Sequence, residues 1–133
     1  MSNLIKQLKK EHAEILDTLS RVKDFGISTK EGREKLLSSK INLLKNLNTE
    51  DEQLYPALKK AAEYNDILKK KLDIFAKDME EISKQAIRFF EKYSTGGSGA
   101  EFAKEFGILY ATIEMRIKKE EEILFKEYEK LSQ

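Results

Sequence analysis

Residues 66–93 read DILKKKLDIFAKDMEEISKQAIRFFEKY, and this stretch decides the fold class. Its apolar residues recur at steps of three and four, which is the spacing of one buried stripe on an α-helix. The stripe runs through Leu68, Leu72, Phe75, Met79, Ile82, Ala86, Phe89 and Tyr93. Charged residues occupy most of the other positions, so the segment predicts an amphipathic helix that packs along one side.

The same spacing recurs in three further segments of the chain. Helices are therefore predicted at about residues 3–24, 30–64, 66–93 and 100–131. No segment alternates with period two, so no strand is predicted. The glycine-rich stretch 94–99 is expected to be the one flexible loop. Short connections between long helices favour an all-α, antiparallel, up-down-up-down four-helix bundle.

Local signals mark where the helices begin and bend. Ser28 and Glu31 have the spacing of a capping box at the start of the second helix. Asp66 is expected to cap the third helix. Pro56 lies inside the second helix and has no N–H for the helical hydrogen bonds, so we expect a kink just past Glu50.

The composition indicates one globular domain spanning residues 1–133, with 40% hydrophobic residues and a single proline. A net charge of +1 argues against a nucleic-acid-binding protein, which normally carries a basic surplus. The absence of cysteine excludes disulfides and thiolate metal sites. No apolar run is long enough for a membrane span or a signal peptide, so we expect a cytoplasmic protein that does not interact with membranes.

Several polar residues interrupt the apolar stripes at a similar height in the predicted bundle. They are His12 on the first helix, Asn46 and Glu50 on the second, and Arg116 and Glu120 on the fourth. At about 1.5 Å of rise per residue, their distances from the nearest helix ends differ by a turn or less. Each alone has an ordinary interpretation, such as a hydrogen-bonded core histidine or a solvated carboxylate. Together they predict a polar layer of the kind in which bundles hold metals and cofactors.

Three short segments resemble the hemerythrin-like, cation-binding (HHE) domains. The segments EDEQLYP at 50–56 and EEEILF at 120–125 are similar to that family's paired acidic-to-aromatic motifs. The segment KEH at 10–12 resembles its first-helix histidine segment. The resemblance implies a four-helix bundle with a non-haem, usually di-iron, centre held by several histidines and two bridging carboxylates. It assigns His12 to the first-helix ligand and Glu50 and Glu120 to the two carboxylates.

The chain departs from the family pattern at three positions. The family has histidine four residues before each carboxylate, and those positions hold Asn46 and Arg116 here. The matching position on the third helix holds Met79. Because the chain contains a single histidine, a histidine-rich centre is excluded. The resemblance therefore implies a degenerate metal site.

Two interpretations of the polar layer remain open from sequence. In the one that we favour, the fixed positive charge of Arg116 replaces the metal and pairs with Glu120, Glu50 or both. The protein is then a non-enzymatic binding or regulatory bundle with no cofactor. In the alternative, His12, Glu50 and Glu120 retain non-haem iron or another divalent ion, for sensing of O2 or NO or for metal storage.

The sequence offers no sign of an enzyme, because it contains no nucleophile–base pair and no phosphate-binding loop. A short bundle without an effector domain is expected to act through something else. A small ligand, another protein or a second copy of this chain are the partners to consider, and the sequence does not choose among them.

Overall fold

A computed structural model describes residues 2–93 and 99–131 of the chain. Nearly all of these residues lie in helical segments. Their order is α1 (Asn3–Phe25), α2 (Lys30–Thr49), a π-helical turn (Glu50–Leu54), α3 (Tyr55–Ala62), α4 (Asp66–Lys92), α5 (Gly99–Glu122) and α6 (Leu124–Leu131). Within the described ranges no residue is in a strand, as the absence of period-two alternation predicted.

These segments form four rods, which confirms the predicted antiparallel four-helix bundle. The π-helical turn joins α2 to α3 without a break in the chain of helical residues. Helices α5 and α6 are also continuous, because the N–H of Ile123 donates to Lys119 and the carbonyl of Ile123 accepts from Glu127, at 2.9 and 3.1 Å. The predicted flexible loop lies outside the described residues, except for its last residue, Gly99, which begins α5.

The second and third predicted helices start where they were expected, but their capping residues differ by one position from the prediction. Thr29, rather than Ser28, caps α2 by accepting the N–H of Gly32 at 3.0 Å. Asn65, rather than Asp66, caps α4 by accepting the N–H of Leu68 at 3.1 Å. Both prediction errors have one cause, since neighbouring Ser, Thr, Asn and Asp residues are almost equally good caps.

A close approach of two glycines holds the turn between α1 and α2. Gly26 ends α1 with φ +68°, in the left-handed region that favours glycine. A Cβ atom on Gly32 would lie only 1.4 Å from the carbonyl oxygen of Gly26. Only glycine therefore fits at position 32, and the backbones of the two helices approach closely where α1 ends and α2 begins.

The irregularity predicted near Pro56 takes the form of the π-helical turn. The N–H of Tyr55 donates to the carbonyl of Glu50, five residues earlier, where an α-helix would use Asp51. Pro56 follows at the first turn of α3, where a missing N–H costs least. The turn begins at Glu50, a residue of the polar layer.

The polar layer divides the core into two apolar clusters. The larger cluster, toward the α1–α2 turn, includes Ile15, Leu43, Phe89, Phe106 and Ile113. The smaller cluster, toward the start of α1, includes Leu8, Leu54, Leu58, Phe75 and Leu124. None of the described helices combines the length and the apolar character that crossing a membrane requires.

Candidate metal centre

His12 lies at the centre of the layer and contacts both carboxylates of the predicted site. It follows Leu8 of the smaller cluster by one turn and precedes Ile15 of the larger one, so its side chain is only 3% exposed. Its Nε2 atom lies 3.2 Å from Oε2 of Glu50 and 3.2 Å from Oε1 of Glu120. The two carboxylate side chains are 1% and 2% exposed. Three helical rods thus bring these ligand atoms together, as the sequence predicted.

The other ring nitrogen of His12 faces a residue that sequence reasoning missed. Nδ1 lies 2.8 Å from Oε2 of Glu121, whose side chain is 30% exposed. The ring of Phe125 stacks on the imidazole with centroids 5.4 Å apart and planes 10° apart. Glu121 belongs to the acidic segment at 120–125. Its contact with His12 was not predicted, because that contact depends on how the first and fourth rods pack.

Arg116 is buried in the layer, but it does not take the position expected for a metal between the two carboxylates. Its Nη2 lies 3.4 Å from Oε2 of Glu120 and donates to the hydroxyl of Tyr55 at 2.8 Å. Its Nη1 donates to the carbonyl of Phe75 at 3.0 Å, and the guanidinium lies 4.7 Å from the ring of that residue. The predicted pairing with Glu120 is confirmed, and the position between Glu50 and Glu120 is held by His12 instead.

The two other replaced positions also border the layer. The Nδ2 atom of Asn46 donates to Oε1 of Glu11 at 3.0 Å, and both side chains are buried. The sulfur of Met79 lies 3.9 Å from Nη2 of Arg116, on the side that faces α4. Met79 thus lies in the layer on the third rod, as its alignment with the family's third-helix ligand predicted.

Burial and mutual contact shift the protonation of the three central groups. Burial alone lowers the pKa of His12, but contacts with Glu120 and Glu50 outweigh it and raise this pKa to about 10. Burial and the neighbouring Glu120 raise the pKa of Glu50 to about 9. Burial also acts to raise the pKa of Glu120, but its interactions with Glu50 and His12 lower it overall. At neutral pH these shifts favour a protonated His12, a protonated Glu50 and an ionised Glu120 in the metal-free layer.

The candidate ligand atoms of His12, Glu50 and Glu120 lie within 4.8 Å of one another, close enough to hold one metal ion. At metal–ligand bonds of about 2.0–2.2 Å, two ligands of the same ion lie roughly 3.0–3.5 Å apart, as both carboxylate oxygens do from His12 Nε2. Oε1 of Glu120 is also buried without a hydrogen bond, because the Nε2 proton is directed to Glu50. A proton shared with Glu50 or a cation would satisfy that oxygen.

A small cavity borders the ligand atoms. Its volume is about 30 Å³, and apolar side chains that include Ile15, Leu43 and Ile113 form part of its wall together with His12 and Glu120. This space is comparable to that of one water molecule. A larger groove of about 670 Å³ lies between α3 and α4, on the outer side of Tyr55 and Met79.

Comparison with known proteins adds one finding. The family model described as hemerythrin HHE cation binding domain matches residues 3–128 of the chain. The matched range includes His12, Glu50, Glu120 and Glu121. Comparison with curated proteins and with solved structures gives no match.

Proposed function

The chain belongs to the hemerythrin family of HHE cation-binding domains, and we propose that its polar layer binds a single divalent metal ion. His12, Glu50 and Glu120 are the proposed ligands. The observation that carries the proposal is the approach of two carboxylate oxygens to one imidazole nitrogen, each at 3.2 Å, in a buried layer. One imidazole and two carboxylates are a common ligand set for catalytic and regulatory divalent ions.

The balance of charge supports an ion in this position. With neutral His12, the three carboxylates that contact its ring, those of Glu50, Glu120 and Glu121, and the guanidinium of Arg116 together leave two negative charges. One divalent ion neutralises them. Without an ion, a proton on His12 and another on Glu50 produce the same balance, which agrees with the raised pKa of each group. Buried charge is costly unless it is compensated in one of these ways.

Arg116 limits the proposed site to one ion. The family resemblance implies two metal ions bridged by the two carboxylates. Here the guanidinium lies on the α4 side of Glu120, next to Met79, so its fixed charge takes the second ion's role toward that carboxylate. A second divalent ion close to this guanidinium would be strongly repelled.

We propose that the domain is not an enzyme. The cavity beside the ligand atoms has about 30 Å³, which suits a water-sized ligand and not an organic substrate. A redox-active ion such as iron would supply a gas-responsive centre there, and a redox-inactive ion would supply a cross-link between three rods. In both cases the residues of the chain bind and orient the ion, and storage or sensing is the expected role.

A second candidate function is a metal-free regulatory bundle. It is favoured by the ion pairs that the layer already contains, those of His12 with both carboxylates and of Arg116 with Glu120. In this case the imidazolium substitutes for the ion permanently, and the domain acts through a partner. The two candidates differ in whether a divalent ion displaces the protons of the layer.

A cobalt titration separates the two candidates. Metal-free protein is titrated with Co²⁺ at pH 8, and the d–d absorption of the bound ion is followed. We expect saturation by Co²⁺ in the parent and in Glu52→Gln, an exposed neighbour, and at least tenfold weaker binding by Glu50→Gln. If none of the three proteins binds Co²⁺, the metal-free bundle is correct.

A further inference from the structure

We propose that Glu121 is the positioning residue that orients His12 for metal binding, an inference that rests on the proposed function. Glu121 itself lies outside the ligand set. Its carboxylate contacts Nδ1, the ring nitrogen on the opposite side from Glu50 and Glu120. By accepting a hydrogen bond from the N–H at Nδ1, it leaves the lone pair of Nε2 directed at the ion.

The geometry of α5 makes this arrangement specific. Glu120 and Glu121 are consecutive, so their side chains leave the helix about 100° apart, as 3.6 residues per turn requires. Glu120 reaches Nε2 of His12 at 3.2 Å, and Glu121 reaches Nδ1 of the same ring at 2.8 Å. The two residues thus hold the ring from both nitrogens.

Phe125 restricts the ring in the remaining direction. Its side chain is 1% exposed and stacks on the imidazole face at an interplanar angle of 10°. Phe125 lies four residues after Glu121, so both contacts come from one face of the fourth rod. The ring of His12 therefore has a fixed plane and a fixed direction. When an ion takes the Nε2 side, Glu121 is the contact that would keep the ring proton on Nδ1.

The chemistry of imidazole explains why the tautomer matters. A neutral imidazole carries one proton, and only the nitrogen without it can bind a metal. A carboxylate on the other nitrogen fixes that choice and makes the ligating nitrogen more basic. The chain contains no other histidine that could replace a wrongly oriented His12. Loss of Glu121 is therefore expected to weaken binding although all three ligands remain.

The test compares Glu121→Ala and Glu121→Gln with Glu122→Ala, a matched control at the exposed neighbouring position. Zinc affinity is measured by competition with a chromophoric chelator. We expect a roughly 10–100-fold loss in Glu121→Ala and no change in Glu122→Ala. Glu121→Gln should bind zinc more tightly than Glu121→Ala, because its amide oxygen still accepts a hydrogen bond from the N–H at Nδ1.

A second measurement distinguishes a changed orientation of the His12 ring from a general loss of protein stability. Since the chain has one histidine, the imidazole nitrogen signals in ¹⁵N NMR need no assignment between residues. In zinc-loaded parent, Nδ1 should carry a slowly exchanging proton and Nε2 should be ligated. In Glu121→Ala the Nδ1 proton should exchange rapidly with solvent, while the zinc-free protein keeps its helical fold.

The outcomes distinguish this inference from the proposed function. If the parent and Glu121→Ala bind zinc equally well with the same imidazole spectrum, the role of Glu121 is overturned and the metal site stands. If the parent binds no zinc, the proposed function fails, and the ligand-orienting role of Glu121 fails with it.

Discussion

Arg116 combines a fixed charge with a buried position, and this makes it the residue with the largest predicted effect on stability. Its side chain is 9% exposed, and it contacts Glu120, the Tyr55 hydroxyl and the Phe75 carbonyl. Each of these groups would lose a donor if the guanidinium were removed. The residue therefore stabilises the layer whether or not an ion is bound.

We predict that Arg116→Ala lowers the free energy of unfolding by about 3–5 kcal/mol, because it leaves buried partners uncompensated. Urea denaturation in the presence of a chelator measures the loss. Arg21→Ala is the control: its ion pair with Asp17 is 54% and 66% exposed, so its removal should cost less than about 1 kcal/mol. Equal losses in the two variants would contradict the buried role of Arg116.

Protonation of His12 and Glu50 makes the stability of the metal-free protein depend on pH. The pKa of His12 is raised from 6.5 to about 10, so its contribution is complete below pH 6.5 and is lost as the pH rises through about 10. The pKa of Glu50 is raised from 4.5 to about 9, so its contribution falls from pH 4.5 upward to about 9. Both groups bind more protons in the folded state, and both contributions decrease as pH increases.

We therefore predict that the metal-free parent is less stable at pH 9 than at pH 6, by more than about 1.4 kcal/mol, the value of one pKa unit. Glu50→Gln mimics the protonated acid and should show a flatter profile. Urea denaturation with chelator at both pH values tests this. A parent that is more stable at pH 9, or a variant with the parent's slope, would show that Glu50 is ionised in the folded protein.

At the same scale, sequence reasoning identified the three central residues of the layer but not their arrangement. The spacing of His12, Glu50 and Glu120 from the helix ends predicted one layer, and they do lie in one layer. Arg116 was expected to pair with Glu120, Glu50 or both, and it pairs with Glu120, whereas His12 contacts both carboxylates. The contact between Glu121 and His12 was missed, because the rotation of a helix about its axis is decided by tertiary packing.

Among the elements, the second rod shows how a local irregularity coincides with the site. The π-helical turn begins at Glu50, and Pro56 follows it in the first turn of α3. The proline made an irregularity predictable, since it removes one backbone donor. Its form was not predictable, because a kink and a π-helical turn both accommodate the missing N–H. Two apolar residues of this rod, Leu37 and Leu44, are 58% and 45% exposed.

The close approach of Gly26 and Gly32 in the α1–α2 hairpin predicts how a substitution at position 32 changes stability. Gly32→Ala should destabilise the protein by at least about 2 kcal/mol, because the new Cβ would overlap the Gly26 carbonyl and force the two helices apart. Gly107 is the matched control, an exposed glycine within α5 with nothing within 4 Å of an added Cβ. Gly107→Ala should stabilise the protein by up to about 1 kcal/mol. Thermal melting of both variants measures the difference, and a neutral Gly32→Ala would refute the close approach.

At the scale of the whole molecule, one polar layer separates two apolar clusters. The fold class was predictable because four long amphipathic segments with short connections have few other ways to bury their stripes. The division of the core was also visible, since polar residues interrupt the stripes at one height. Whether the layer binds an ion depends on differences of a few tenths of an ångström in the distances between its side-chain atoms. The apolar periodicity of the sequence does not determine these distances.

We propose that the layer binds one divalent ion and releases the protons of His12 and Glu50 as it does so. Isothermal titration of the metal-free protein with Zn²⁺ at pH 7 tests it most directly, in two buffers that differ in ionisation enthalpy. We predict one ion per chain and the release of about two protons, since His12 and Glu50 are both protonated before the ion binds. No binding, or two ions per chain, would contradict the account.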